Sequence, residues 1–85
     1  MAKPRDHEGP VLVLRQYASA PAEVRKAFDK QVGFLLENLT HPSLRAKKYD
    51  EALGLWQARV NRNWRFYFTI ENEEYRLHDI RPHPK

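Results

Sequence analysis

The sequence predicts an α+β domain, with one or two N-terminal helices packed on one face of a three- to four-stranded twisted antiparallel sheet. Three observations lead there. Apolar residues recur every three or four positions in the first half of the chain. The second half is rich in aromatic and β-branched residues separated by short polar turns. Helices that precede strands, rather than alternating with them, segregate to one side of an antiparallel sheet.

Residues 1–10, "MAKPRDHEGP", mix charge, Pro and Gly and read as a flexible tail that lacks the apolar core of a signal peptide. Residues 11–85 read as a single domain, as a chain of 85 residues leads one to expect. Residues 11–19, "VLVLRQYAS", fit either a strand or a helical stripe of Val11, Leu14 and Ala18. Ser19 as N-cap, Pro21 just inside and Glu23 in the first turn open a helix over 20–38. Val24, Phe28, Val32 and Leu35 form its apolar stripe, with Ala27, Gln31 and Leu39 flanking. Pro42 disfavours helix in the residue before it.

"SLRAKKY" reads as a short strand and "EALG" as a turn. "LWQARVN", "WRFYFTI" and "YRLHDI" read as three further strands. A three-residue loop, Asn61-Arg62-Asn63, with Asn63 in the left-handed conformation, gives the cleanest hairpin. It pairs Val60 with Trp64, Ala58 with Phe66 and Trp56 with Phe68 on one face. Arg59 pairs with Arg65 and Gln57 with Tyr67 on the other. A two-residue loop would mix the faces. A second turn at Asn72-Glu73 puts Arg76 and His78 on the arginine side, but it inverts Asp79 and Ile80 unless a bulge intervenes.

The chain carries a net charge of +4. Residues 45–65 hold six Lys/Arg against Asp50 and Glu51, so this one segment accounts for the whole excess. A concentrated positive patch suits a polyanion or an acidic partner. Arg59 opposite Arg65 is a like-charge pair that destabilises a sheet; either an anion bridging the two offsets this, or each arginine points to water or to Asp/Glu neighbours. There is no cysteine, hence no disulfide framework or thiolate metal site. His7, His41, His78 and His83 lack the spacing of metal ligands. No stretch approaches the ~20 apolar residues of a membrane-spanning helix. The absence of cysteine fits a cytoplasmic location.

Residues 41–85 resemble the C-terminal half of RelE/ParE-superfamily toxins of bacterial type II toxin–antitoxin modules. The resemblance rests on "HPSLRAKKY", "GLWQARV", the "WRFYF" strand with its arginine, and the closing "DIRPHPK". "SAPAEVRKAFDKQVGFLLEN" is similar to the family's second helix. The resemblance implies a RelE-like fold with a basic face and, most directly, a ribosome-dependent mRNA endonuclease that inhibits translation by metal-independent attack of the 2′-hydroxyl. It implies no cofactor. Its partners would be a cognate antitoxin, in a hetero-oligomeric complex, and the ribosome with its mRNA. Other members poison DNA gyrase, and a degenerate member would bind only its antitoxin. The family's first strand and its C-terminal helix with a stacking tyrosine find no match in the sequence, which is what raises the degenerate alternative.

Carried onto this chain, the resemblance makes Arg65 the phosphate-stabilising arginine, with Arg59 sharing the role, and His83 the general acid. Guanidinium suits phosphate because it stays charged and binds through two nitrogens. An imidazole titrates near pH ~6.5, where it can give a proton to a leaving oxygen. By itself, a histidine between two prolines is equally an exposed bystander. Glu51 is the candidate base, with Asp50 an equal neighbour. Lys47, Lys48, Arg62 and Arg81 complete a set of RNA-binding cations. Tyr67 joins them either as a platform for a base or as a cross-strand aromatic.

Overall fold

The computed structural model describes residues 13–83. Residues 13–19 are helical (α1), which resolves the ambiguity there in favour of helix, while Val11, Leu12 and the predicted tail lie outside the described residues. The second helix, α2, spans Ala22–Glu37. Its N-cap is Pro21 rather than Ser19, with no side-chain cap hydrogen bond among the described residues. Ser19 instead ends α1, and the backbone N–H groups of Val24 and Arg25 donate to the Pro21 carbonyl at 2.9 and 3.0 Å. Four strands follow: β1 Lys47–Asp50, β2 Leu55–Arg59, β3 Trp64–Glu71 and β4 Glu74–Pro82. They form one antiparallel sheet in sequence order. The first strand is shorter than "SLRAKKY" suggests. Its first half is a turn followed by Arg45 at φ 49, outside the range of a strand.

The β2–β3 register is Trp56 with Phe68, Gln57 with Tyr67, Ala58 with Phe66 and Arg59 with Arg65, as the alternation predicts. Val60 N donates to Trp64 O at 3.0 Å and closes the predicted three-residue loop. The loop's internal device differs from the expectation. Asn63 has no positive φ. Asn61 shapes the turn instead: its Oδ1 accepts from Asn63 N at 2.9 Å and Trp64 N at 3.0 Å. The side chain of an asparagine two residues back has replaced the left-handed backbone.

At the other end Asn72 and Glu73 both have positive φ, 52° and 65°, as a two-residue mirror-image turn requires. Pairing runs from Glu71–Glu74 to Phe68–Leu77, shifts register, and resumes at Tyr67–Asp79. His78 is the extra residue of this bulge. It restores Ile80 to the core, 2% exposed, and puts Asp79 beside Tyr67.

Both helices cover the Ala58–Phe66–Ile80 side. Val24, Phe28 and Leu35 of α2 pack with Val13 and Ala20 against Ala58, Val60, Phe66, Phe68 and Ile80. Phe28 meets Phe66 edge-on, with centroids 5.3 Å apart. Gln31, not Val32, takes the third buried position of the helical stripe. Its Nε2 donates to the carbonyls of Ser43 (3.0 Å) and Arg59 (2.8 Å), and its Oε1 accepts from Ser43 Oγ (3.0 Å). A buried amide so satisfied costs little and ties α2 to the loop before β1 and to the end of β2.

Candidate functional site

On the side away from the helices, β2, β3 and β4 place Arg59, Arg65 and Arg81 in one cross-strand row. Neighbouring strands lie ~4.8 Å apart, so three guanidinium side chains start within about 10 Å of one another. The sequence pairs the first two; the bulge in β4 brings in the third. The next row holds Lys47, Gln57, Tyr67 and Asp79.

The three arginines are not equivalent. Arg65 is anchored: its Nη1 donates to Asn61 O at 2.8 Å and Trp64 O at 3.0 Å, with Arg62 O at 3.4 Å. The hairpin loop thus holds one nitrogen and leaves the rest of the fork uncommitted to these carbonyls. Burial lowers the Arg65 pKa, and the charges of Arg59 and Arg45 lower it further, against an opposing effect of Tyr67. The group remains a cation at neutral pH, as arginine does in proteins. Neither Arg59 nor Arg65 forms an ion pair among the described residues. Arg81 is partly neutralised by Asp79 at 3.8 Å. Its guanidinium lies over the Tyr67 ring, 4.6 Å from the centroid. Burial works to lower its pKa, but the contacts with Tyr67 and the charge of Asp79 prevail and raise it. Asp79 is itself fixed by Gln16 of α1, whose Nε2 donates to it at 2.6 Å.

Tyr67 is not open to a nucleobase. It is 3% exposed, with Arg81 on its face, Tyr49 edge-on at 5.0 Å and Gln57 Nε2 donating to its hydroxyl at 3.3 Å. Of the two readings of Tyr67, the cross-strand aromatic is the one the geometry supports. Tyr49, on the edge strand and 54% exposed, is the accessible ring on this side, and sequence reasoning passed over it.

The predicted cations divide. Lys47 pairs with Gln57, in the arginine-side alternation. Lys48 pairs with Trp56, and its Nζ lies 5.3 Å from the Trp56 ring centroid. Lys48 also forms an exposed ion pair with Glu51 at 3.7 Å. Glu51 sits in the turn that leads into β2, whereas Arg59 ends β2. Four residue steps of strand separate the two ends, about 13 Å, so Glu51 is not brought to Arg59 and Arg65. Asp50 is at the same far end, its Oδ1 accepting from Leu53 N at 3.2 Å.

His83 continues the chain beyond β4 and is tied to the hairpin loop through its backbone. Its backbone N donates to Asn63 O at 2.7 Å, just beyond the Trp64–Pro82 pair, and it follows Arg81 by two residues. It is exposed. Arg62 occupies the exposed tip of the same hairpin loop. His78 is bonded to Thr69 Oγ1 at 2.9 Å, and His41 stacks on Phe34 with centroids 3.9 Å apart. Among the described residues no three of the metal-ligating types converge, and no helix is long and apolar enough to cross a membrane.

The arrangement can therefore hold a polyanion along the arginine row, with the exposed His83 two residues beyond Arg81. No family model matches this chain, and neither a curated protein nor a solved structure matches it.

Proposed function

We propose that the protein is a toxin of a type II toxin–antitoxin module, resembling the RelE/ParE superfamily, which cuts mRNA on the ribosome. The observation that carries this reading is the Arg59–Arg65–Arg81 row with His83 at its end, in which Arg59 and Arg65 have no ion-pair partner among the described residues. Such a row costs sheet stability, and a phosphate between the guanidinium groups removes that cost.

In the proposed reaction the ribose 2′-oxygen attacks the adjacent phosphorus. The P–O5′ bond breaks, leaving a 2′,3′-cyclic phosphate and a 5′-hydroxyl. Arg65 and Arg59 stabilise the extra charge of the pentacoordinate phosphorane. His83 gives its proton to the 5′-oxygen. Glu51 is too far along β2 to take the 2′-proton, so that proton passes to water. Positioning of the strand by the ribosome supplies much of the rate, since orientation alone can be worth several kcal/mol. The antitoxin would present an acidic and apolar segment to the same face and bind it in a salt-sensitive way.

The remoteness of Glu51 and the covering of Tyr67 favour a second reading, in which the same face only binds. That protein would be a ParE-like gyrase inhibitor or an antitoxin-binding relic. Induction in a bacterial host, with primer extension on a reporter mRNA, separates the readings. The nuclease predicts new cleavages that vanish in Arg65→Ala and His83→Gln. Growth arrest over intact mRNA, lost in Arg65→Ala and kept in His83→Gln, supports the gyrase-type binder. Absence of arrest leaves only antitoxin binding.

A further inference from the structure

The arginine row does not end at the edge of the sheet. Arg59 also lines an open cleft of about 470 Å³ between α2 and the β2–β3 loop. Four cationic residues line it: Lys30 from α2, whose Nζ lies 5.9 Å from the Phe34 ring centroid, Arg45 from the loop before β1, and Arg59 and Arg62. Among the described residues no carboxylate lines it, and none of these four cations forms an ion pair.

The cleft is a built feature. Its floor is the buried Gln31, with every polar atom of that amide bonded to Ser43 or Arg59. Arg59 N donates to Leu44 O at 2.8 Å, which fixes the turn that carries Arg45. Arg45 itself sits at φ 49, a conformation that a non-glycine residue adopts only when its surroundings hold it there. The sequence spreads these residues over 33 positions, from Lys30 to Arg62. Only the packing of α2 against the hairpin brings them together.

The lining also indicates what kind of anion fits. A helical peptide docks by apolar anchors at a regular spacing. Here the apolar lining is limited to Ala27, Pro42 and the buried Val60. Exposed and half-buried cationic side chains with little apolar surface match a sugar–phosphate backbone, which is read by charge and carries no side chains to bury. Arg59 is common to the row and the cleft: its register position lies in the row, and its backbone carbonyl meets Gln31 at the cleft, so the two regions adjoin at this residue.

We propose that this cleft is a second phosphate-binding site, which holds the backbone of single-stranded RNA beyond the part engaged by Arg65 and Arg81. The inference rests on the RNA reading of the arginine row. It extends the footprint around the hairpin tip to the helix side of the molecule, and it gives Lys30 and Arg45 the role of backbone contacts without a part in bond breaking.

The test is the salt dependence of binding to a labelled oligouridylate of about 12 nucleotides, a length within the range covered by small single-strand-binding domains. The variants are Lys30→Gln/Arg45→Gln and, for comparison, Arg65→Ala. Lys30 and Arg45 are exposed, and an unchanged urea midpoint verifies the fold of the double variant. Each lost phosphate contact lowers the slope of log K against log salt by about 0.7 for a single strand, so the double variant should lose about 1.4. Its affinity at low salt should fall roughly tenfold. A double variant that runs parallel to wild type, while Arg65→Ala weakens binding, overturns the cleft and leaves the arginine row standing. A wild type that cuts mRNA in cells yet does not bind the oligonucleotide also overturns the cleft alone. Failure of both overturns both. An oligoglutamate peptide that binds wild type and loses affinity in the double variant, with oligouridylate binding unaffected, reassigns the cleft to an acidic protein segment.

Discussion

The two faces of the β2–β3 hairpin are built from alternate residues of the same two strands, and they obey opposite rules. On the helix side, Ala58, Phe66 and Phe68 are at most 1% exposed and fill a continuous core. On the other side, Arg59 faces Arg65, and Arg65 faces Arg81. Every residue of the first face lowers the free energy of folding by leaving water. The second face gathers like charge, which stability alone does not favour. The difference separates what the fold requires from what the fold was arranged to present. The second face is not uniformly open, either. Gln57 and Tyr67, one step along the strands from the arginines, are buried, only 7% and 3% exposed, beneath the more open Lys47 and Tyr49 of the edge strand.

The largest blow to this contrast comes from the core side. Phe66→Ala removes a fully buried ring and should cost about 3–5 kcal/mol, a large part of the stability of a small domain. Urea denaturation would read it, and a loss below about 1 kcal/mol would mean that the core is not where the structure places it. Gln31→Ala tests the bridge between the helix layer and the arginine end. It leaves the carbonyls of Ser43 and Arg59 without their donor and should cost about 1–3 kcal/mol. Amide hydrogen exchange should show the loss at the Arg59 N to Leu44 O bond before the sheet centre.

Glu73→Gly acts at the opposite end of β3. A glutamate at φ 65 is strained, and glycine relieves it. The variant should be more stable by about 1 kcal/mol with no effect on RNA binding. The smallest effect is the most informative. Arg59→Gln should raise stability by a few tenths of a kcal/mol, because it removes a like-charge pair, while the RNA affinity that the proposed function requires should fall. A variant that loses stability and keeps its binding would reverse the contrast between the faces.

Most of the sheet was legible because a strand has a period of two and one face of this one must be dry. In β2 and β3 a single register put all six apolar residues together, and a bulge in β4 was the simplest way to keep Ile80 inside. The loop was legible in length but not in mechanism. Asn61 and Asn63 are the same residue type, and only the closed backbone selects which one supplies the turn. Along α2, periodicity favoured Val32 over Gln31, because it weighs apolarity and not the partners that can satisfy a buried amide.

The sequence by itself determined the order of elements, the dry face and the pairing of Arg59 with Arg65, since these follow from local periodicity and short turns. Only the tertiary structure decided which of the predicted site residues meet. It brought Arg81 to the row, tied the His83 backbone to the hairpin loop, sent Lys48 to the Trp56 side, left Glu51 at the far end of β2, and covered Tyr67. It also assembled the cleft of Lys30, Arg45, Arg59 and Arg62. Those outcomes depend on bulges and on side chains from strands and helices remote in sequence. One residue's shift in register moves a side chain through the sheet, and periodicity within a single strand carries no record of what arrives from its neighbours.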